Sequence, residues 1–245
     1  MVRGSPYAES SGSGGEFELP AGDPRHPRGD AFRNIVSLRK SQDLFDDLTG
    51  GDTSLSAIAV EAEAKVKAGI PLGLIPRGFH YTISINYPFE YEPYLMTRYG
   101  NGSYGVWYGA LALNTTIHET AFHMVREESG IEGNTGLIHR ERAVYLIHCK
   151  ALLIDLSGKE AEYPDLVGQD YGFTQQVGER VRREGHPGLL SPSARYKSGI
   201  NLVSFSPAIL SDPRLSCYLT YTCDPVRRIV TVERTVGKVI FTLRF

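Results

Sequence analysis

The segment from Arg98 to His123, RYGNGSYGVWYGALALNTTIHETAFH, constrains the fold more than any other part of the chain. Gly100, Gly102 and Gly105 permit a tight loop. Tyr104 to Leu111 then has the aromatic and small-residue content of a strand. Asn114-Thr115-Thr116 is a helix entry, with apolar Ile117, Ala121, Phe122 and Val125 in the turns that follow. Short connections keep such consecutive elements adjacent in space. Arg98, Tyr108 and Glu119 come one from each element, so they converge in any compact arrangement.

Around this segment the pattern mixes strands and helices. Phe32 to Leu38 alternates as a strand and Asp43 to Leu48 reads as a short helix. Ser54 to Ala68 is a Ser-capped helix closed by Gly69 and Pro71. Phe79 to Tyr99 alternates aromatic and small residues between prolines, which predicts extended chain, and Val144 to Leu156 predicts one long strand. Tyr171 to Glu184 is an amphipathic helix ended by Gly185, and the C-terminal third is β-rich with a turn at Gly237. No regular βαβ alternation appears. The expected class is α+β, one domain whose mixed, mostly antiparallel β core is flanked by helices. Residues 1–28 are rich in Gly, Ser and Pro and predict a flexible tail, leaving 29–245 as the domain.

Bulk properties narrow the function classes. A hydrophobic share of 41% over 245 residues supports an ordinary core. Lys and Arg total 26 against 28 Asp and Glu, so no global basic field exists to collect nucleic acid or an anionic membrane. Cys149, Cys217 and Cys223 show neither CxxC nor paired Cys/His spacing, which predicts reduced thiols in a cytoplasmic protein. No run approaches the roughly 20 apolar residues of a membrane span.

Two motifs fail on their geometry. His-Glu-x-x-x-His puts His118 and His123 about 500° apart around a helix, so they cannot share one zinc as the histidines of HExxH do, and no metal is expected. GNGSYG leads into a strand rather than a helix, against the context of a dinucleotide fingerprint. What remains is a loop arginine, a strand tyrosine and a helix carboxylate. Arg98 can fork to pyrophosphate oxygens, Tyr108 can hold a nicotinamide or ribose face, and Glu119 can steady positive charge growing at a ribose C1′. That set suits NAD⁺ as a substrate. Ser193 lies in a loop without the G-x-S-x-G elbow, so no serine hydrolase is expected, though its hydroxyl can serve a ribose or carboxamide.

The same residues resemble a known family. TRYGNGSYGVWYGALALNTTIHETAFH is similar to the central motif of the RES-domain family, FRNIVSLRKSQDLFDDL to its opening segment, and LLSPSARYKSGINLVSF to its P-S-x-R region. The resemblance runs from about Ala31 to about Leu210. It implies an ADP-ribosyltransferase-like fold and a bacterial toxin that degrades NAD⁺ by hydrolysis or phosphorolysis of the nicotinamide–ribose bond. It implies Glu119, Tyr108 and Ser193 as site residues, with either Arg33 or Arg98 as the essential arginine. Asn34, following Arg33, receives no role. No cofactor is implied; NAD⁺ is substrate and inorganic phosphate a candidate co-substrate. The implied partner is a separate helix-turn-helix antitoxin, with self-association left open. ADP-ribosyl transfer to a protein or small acceptor, and an inactive binding module, stand as the alternatives.

Overall fold

A computed structural model of the protein describes residue 20 and residues 22–27, 29–36, 82–90 and 92–245. The helices expected over Asp43–Leu48 and Ser54–Ala68 lie outside the described residues. Strands β1 (Pro24–Arg25), β2 (Ala31–Val36), β3 (Trp107–Ala110), β4 (Ile138–Cys149), β5 (Leu153–Asp155), β6 (Gly188–Pro192), β7 (Ile200–Ser204), β8 (Leu210–Asp224), β9 (Ile229–Thr235) and β10 (Lys238–Arg244) form one sheet. Its order is β1-β5-β6-β7-β3-β2-β4-β8-β9-β10. Only β5 and β6 pair in parallel among these strands. The fold is therefore α+β on a mostly antiparallel sheet, as expected.

Alternation along the strands sorts side chains onto two faces. Tyr108 pairs with Val203 and Ala110 with Asn201, while Asn34 pairs with Val144. Helix α2 (Leu113–Ser129) buries Ile117, Ala121, Met124 and Val125 against Val144, Leu219, Val230 and Val232. Helix α3 (Gly172–Arg183) buries Val177 and Val181 against Leu189, Val203 and Tyr99. Gly178 lets α3 come this close, since a Cβ there would lie 2.1 Å from the Tyr99 carbonyl oxygen. Gly185, at φ +83°, ends α3 with its amide bonded to Arg182 and the His186 amide bonded to Val181. Behind the sheet, Trp107, Tyr145, Ile147 and Leu202 form a second layer of core.

Three expectations need correction. Phe79 to Tyr99 is not extended throughout: Thr82–Asn86 makes a π-helical turn leading into α1 (Tyr87–Glu90). Ser84 and Ile85 are buried there, and the Trp107 indole donates to the Ser84 carbonyl at 2.7 Å, so tertiary contacts outweigh the strand-like composition. Val144 to Leu156 is two strands far apart in the sheet order, because the chain leaves β4 at Cys149 and crosses to β5. Within the stretch expected as tail, Pro24–Arg25 pairs with β5, and the Arg25 guanidinium reaches the Asp155 carboxylate at 2.7 Å.

Candidate active site

Strands β2 and β3 meet at a single pair, Phe32 with Ala110. Beyond it they part, and a cleft of about 480 Å³ opens where they separate, within the range of small-molecule sites. Its walls come from β2 (Arg33, Asn34), β3 (Tyr108), residues 95–99, and the face of α2 carrying Thr116, Glu119, Thr120, His123 and Glu127. Helical spacing explains that face, since positions three and four apart lie above one another. Gly109 permits the close approach of β3 to β2: a Cβ would sit 2.4 Å from the Trp107 ring and 3.1 Å from the Phe32 carbonyl oxygen.

Glu119 is held from two directions at one oxygen. Ser193 Oγ donates to its Oε1 at 2.6 Å and Asn201 Nδ2 donates to the same oxygen at 3.0 Å. Oε2 has no hydrogen-bond partner among the described residues, so one carboxylate oxygen is fixed and the other is free. Ser193 is buried and does not line the cleft. Its hydroxyl also accepts from the amides of Arg195 (3.2 Å) and Tyr196 (3.0 Å), which exhausts its hydrogen-bonding capacity. The structure thus places Ser193 behind Glu119 rather than facing the cleft.

Tyr108 is similarly committed at its tip. Its hydroxyl donates to Thr97 Oγ1 at 2.8 Å and accepts from the Tyr99 amide at 2.9 Å, tying β3 to the loop at residues 97–99. Burial holds this phenol well above its ordinary pKa, so it stays neutral. Tyr108 is among the residues that line the cleft. Tyr99 bonds Ser191 Oγ at 2.6 Å, and burial pushes its phenol up to about 12.

The two candidate arginines sit on different walls. Arg33 Nη1 donates to the Tyr108 carbonyl at 2.6 Å across the open seam, doing there what a ladder bond does elsewhere, and its guanidinium lies 5.4 Å over the Trp107 ring. Burial, with the nearby Arg142 charge as the smaller cause, lowers it to about 10. Arg33 Nε is buried without a partner. Arg98 donates to the carbonyls of Leu166 (3.2 Å) and Gly168 (3.0 Å) and stacks 4.6 Å over Tyr171. Arg33 and Arg98 are both among the residues that line the cleft, and so are Arg126 and Arg195. None of the four forms an ion pair with a carboxylate among the described residues. Against them stand Glu119 and Glu127, so the cleft is set up for an anionic ligand.

Several lining residues carried no assigned role in the sequence. Asn34 is the hub of a buried polar cluster: its amide donates to Tyr221 at 3.1 Å, and its Oδ1 accepts from Arg142 Nε at 2.7 Å. Asn201 stands two residues before Val203, so strand alternation places it on the cleft face, a signal legible once β7 is recognised. Arg195 lies 3.5 Å over Phe122. His123, four residues after Glu119, lines the cleft, and burial lowers its pKa below the ordinary imidazole value. His118 instead stacks on Tyr196 at 4.4 Å and meets Phe241 at 5.6 Å, so the two histidines face different surroundings. Among the described residues no group of three or more His, Cys, Asp or Glu side chains is arranged to hold a metal. Nor is any helix among them long and apolar enough to cross a membrane.

With this geometry in view, the sequence profile of the RES domain matches residues 72–224, well over half of the chain. The match starts after β2, so Arg33 and Asn34 precede it, and it extends through β8. A crystal structure of the M. tuberculosis MbcT–MbcA toxin–antitoxin complex aligns at 17% identity with a TM-score of 0.36, covering 53% of this chain and 73% of that one. So slight a likeness carries no argument. No curated protein matches the chain.

Proposed function

Because this chain belongs to the RES-domain family, we propose that it cleaves the nicotinamide–ribose bond of NAD⁺. One observation carries the reading: among the described residues, a carboxylate is fixed through one oxygen and free at the other, in a cleft whose cations lack carboxylate partners. Breaking the bond returns its electron pair to the nicotinamide nitrogen, which leaves neutral, and positive charge grows at the ribose C1′. The free oxygen of Glu119 stabilises that charge, and Ser193 and Asn201 keep the carboxylate from turning away. Water then adds to C1′ and loses a proton, giving ADP-ribose. Inorganic phosphate in the same position gives the 1-phosphate ester instead.

The arginines serve the other part of the substrate. Arg33 and Arg98 bind pyrophosphate oxygens, for which guanidinium forks are the fitting donors. The ring of Tyr108 packs against the nicotinamide or its ribose. Ser193 acts through Glu119, which revises its expected contact with the substrate. The chemistry needs no metal and no bound cofactor. In this reading the protein is the toxin of a bacterial toxin–antitoxin pair, acting in the cytoplasm and neutralised by a separate helix-turn-helix antitoxin. The family membership supports that assignment, and the buried, unpaired Cys149, Cys217 and Cys223 agree with a reducing compartment.

The test is to incubate purified protein with NAD⁺, with and without phosphate, and follow free nicotinamide by chromatography. Wild type releases nicotinamide. Glu119→Gln, which keeps the shape and the Oε1 acceptor but removes the charge, lowers the rate by about two to three orders of magnitude, as loss of one electrostatic stabiliser does elsewhere. No release from wild type, or undiminished release from the variant, overturns the proposal. Label from NAD⁺ that stays on lysate proteins through denaturation reassigns the reaction to ADP-ribosyl transfer.

A further inference from the structure

Leu95 and Met96 are 79% and 71% exposed, yet both line the cleft. Among the described residues they are the two large apolar side chains that are at once this exposed and part of its wall. Their exposure is not that of a loose strand. Met96 bridges Asn101 across the loop. The amides of Thr97 and Gly100 each donate to the other residue's carbonyl, at 2.8 and 3.4 Å. Thr97 is gripped from two more sides, by the Tyr108 hydroxyl at 2.8 Å and by Gln175 Nε2 donating to its carbonyl at 3.0 Å. Two apolar side chains are thus held in water by a fixed loop, immediately before Arg98.

The proposed reaction gives this lip an occupant. If Glu119 works at the nicotinamide ribose, the pyrophosphate extends from there onto the arginines, and the second base of the dinucleotide lies beyond them. That base is a flat, weakly polar purine, and Leu95 and Met96 supply exposed apolar wall three and two residues before Arg98. We propose that Leu95 and Met96 form a platform for the adenine ring, with Arg98 taking the adjacent phosphate. A thioether makes favourable contacts with aromatic rings, and the fixed loop lets the platform act without ordering on binding. The pair then determines specificity, favouring the dinucleotide over a nicotinamide mononucleotide. This inference rests on the NAD⁺ reading.

Binding to ADP-ribose and to ribose 5-phosphate, measured by calorimetry, tests it without requiring turnover. In Leu95→Ser/Met96→Ser, removal of two apolar contacts raises the ADP-ribose dissociation constant by about tenfold, while ribose 5-phosphate binds as in wild type. In turnover, the KM for NAD⁺ rises with kcat little changed, and nicotinamide mononucleotide is processed alike by both proteins. Leu95→Ile/Met96→Leu, which keeps the apolar surface, restores wild-type affinity and excludes a folding defect. Unchanged ADP-ribose affinity in the serine variant, or equal loss for both ligands, overturns the platform. So does a serine variant that loses only self-association or capture of an antitoxin, since the lip then serves a protein partner. A wild type that binds ADP-ribose but releases no nicotinamide overturns the reaction and leaves the platform standing.

Discussion

The two sides of the sheet are held by different means. From β4 to β10 the ladder is nearly continuous: β4 follows β8 from Ile138 opposite Cys223 to Cys149 opposite Leu210, and α2 covers that part with aliphatic side chains. At β2 and β3 the ladder shrinks to one pair, and the seam is bridged by Arg33 donating to the Tyr108 carbonyl. The closed part gets its stability from burial and regular hydrogen bonds. The open seam uses polar and cationic side chains, several of them without a neutralising partner among the described residues. A cleft lined by buried guanidiniums cannot also be the best-packed part of the protein, because burial removes those cations from water without apolar contacts of equal worth.

Truncation in the closed part should produce the largest effect on stability. Leu219→Ala removes a buried side chain from the α2 layer and should cost about 3 kcal/mol. Denaturant unfolding measures this, and the activity per folded molecule should be unchanged. An activity loss in step with the stability loss would erase the distinction between the two parts.

At the seam the pattern should reverse. Ser193→Ala takes away one of the two donors to Glu119 and should lower kcat by about ten- to a hundredfold, with a stability cost of about 1 kcal/mol. A variant with full kcat would show that Asn201 alone positions the carboxylate. Arg33→Met should leave stability within about 1 kcal/mol of wild type, since a buried guanidinium without a carboxylate gains little from its charge. Its affinity for ADP-ribose should nevertheless fall about tenfold, the usual scale for a lost charge-assisted hydrogen bond. Strong destabilisation in this variant would mean that the bridge to Tyr108, not the ligand, is the reason for the charge.

The smallest effect should be a pH dependence from His123. Burial, the largest cause, lowers its pKa in the folded protein, with Arg126 and Arg195 acting in the same direction and Glu119 and Glu127 opposing. Below the unfolded imidazole pKa of about 6.5, the unfolded chain binds a proton that the folded protein resists. The stability contributed by neutral His123 is therefore fully present above that pH and is lost as the pH falls through and below it. His123→Gln should be less sensitive than wild type to a shift from pH 8 to pH 5.5 in thermal unfolding. Identical pH profiles would show that the ring stays hydrated.

How much of this could be read from the chain depended on the range of the interactions involved. Arg98, Tyr108 and Glu119 were legible as a group because a loop, a strand and a helix joined by short connections have few ways to separate. The helix ended by Gly185 was legible because its stop signal is local. The turn over Thr82–Asn86 was not: its conformation answers to the Trp107 indole, which lies more than twenty residues later in the sequence. Ser193 stood out in the sequence, but its orientation toward Glu119 comes from the turn that brings the Arg195 and Tyr196 amides onto its hydroxyl.

By itself, then, the sequence determined the α+β class and the family motif, because periodicity, turn residues and side-chain types are properties of short segments. Only the tertiary structure decided that β2 and β3 part after one pair, that Glu119 is fixed through a single oxygen, and that Leu95 and Met96 stand exposed at the cleft wall. These depend on which distant strands become neighbours and on which donors then have no closer partner, and no local pattern encodes either.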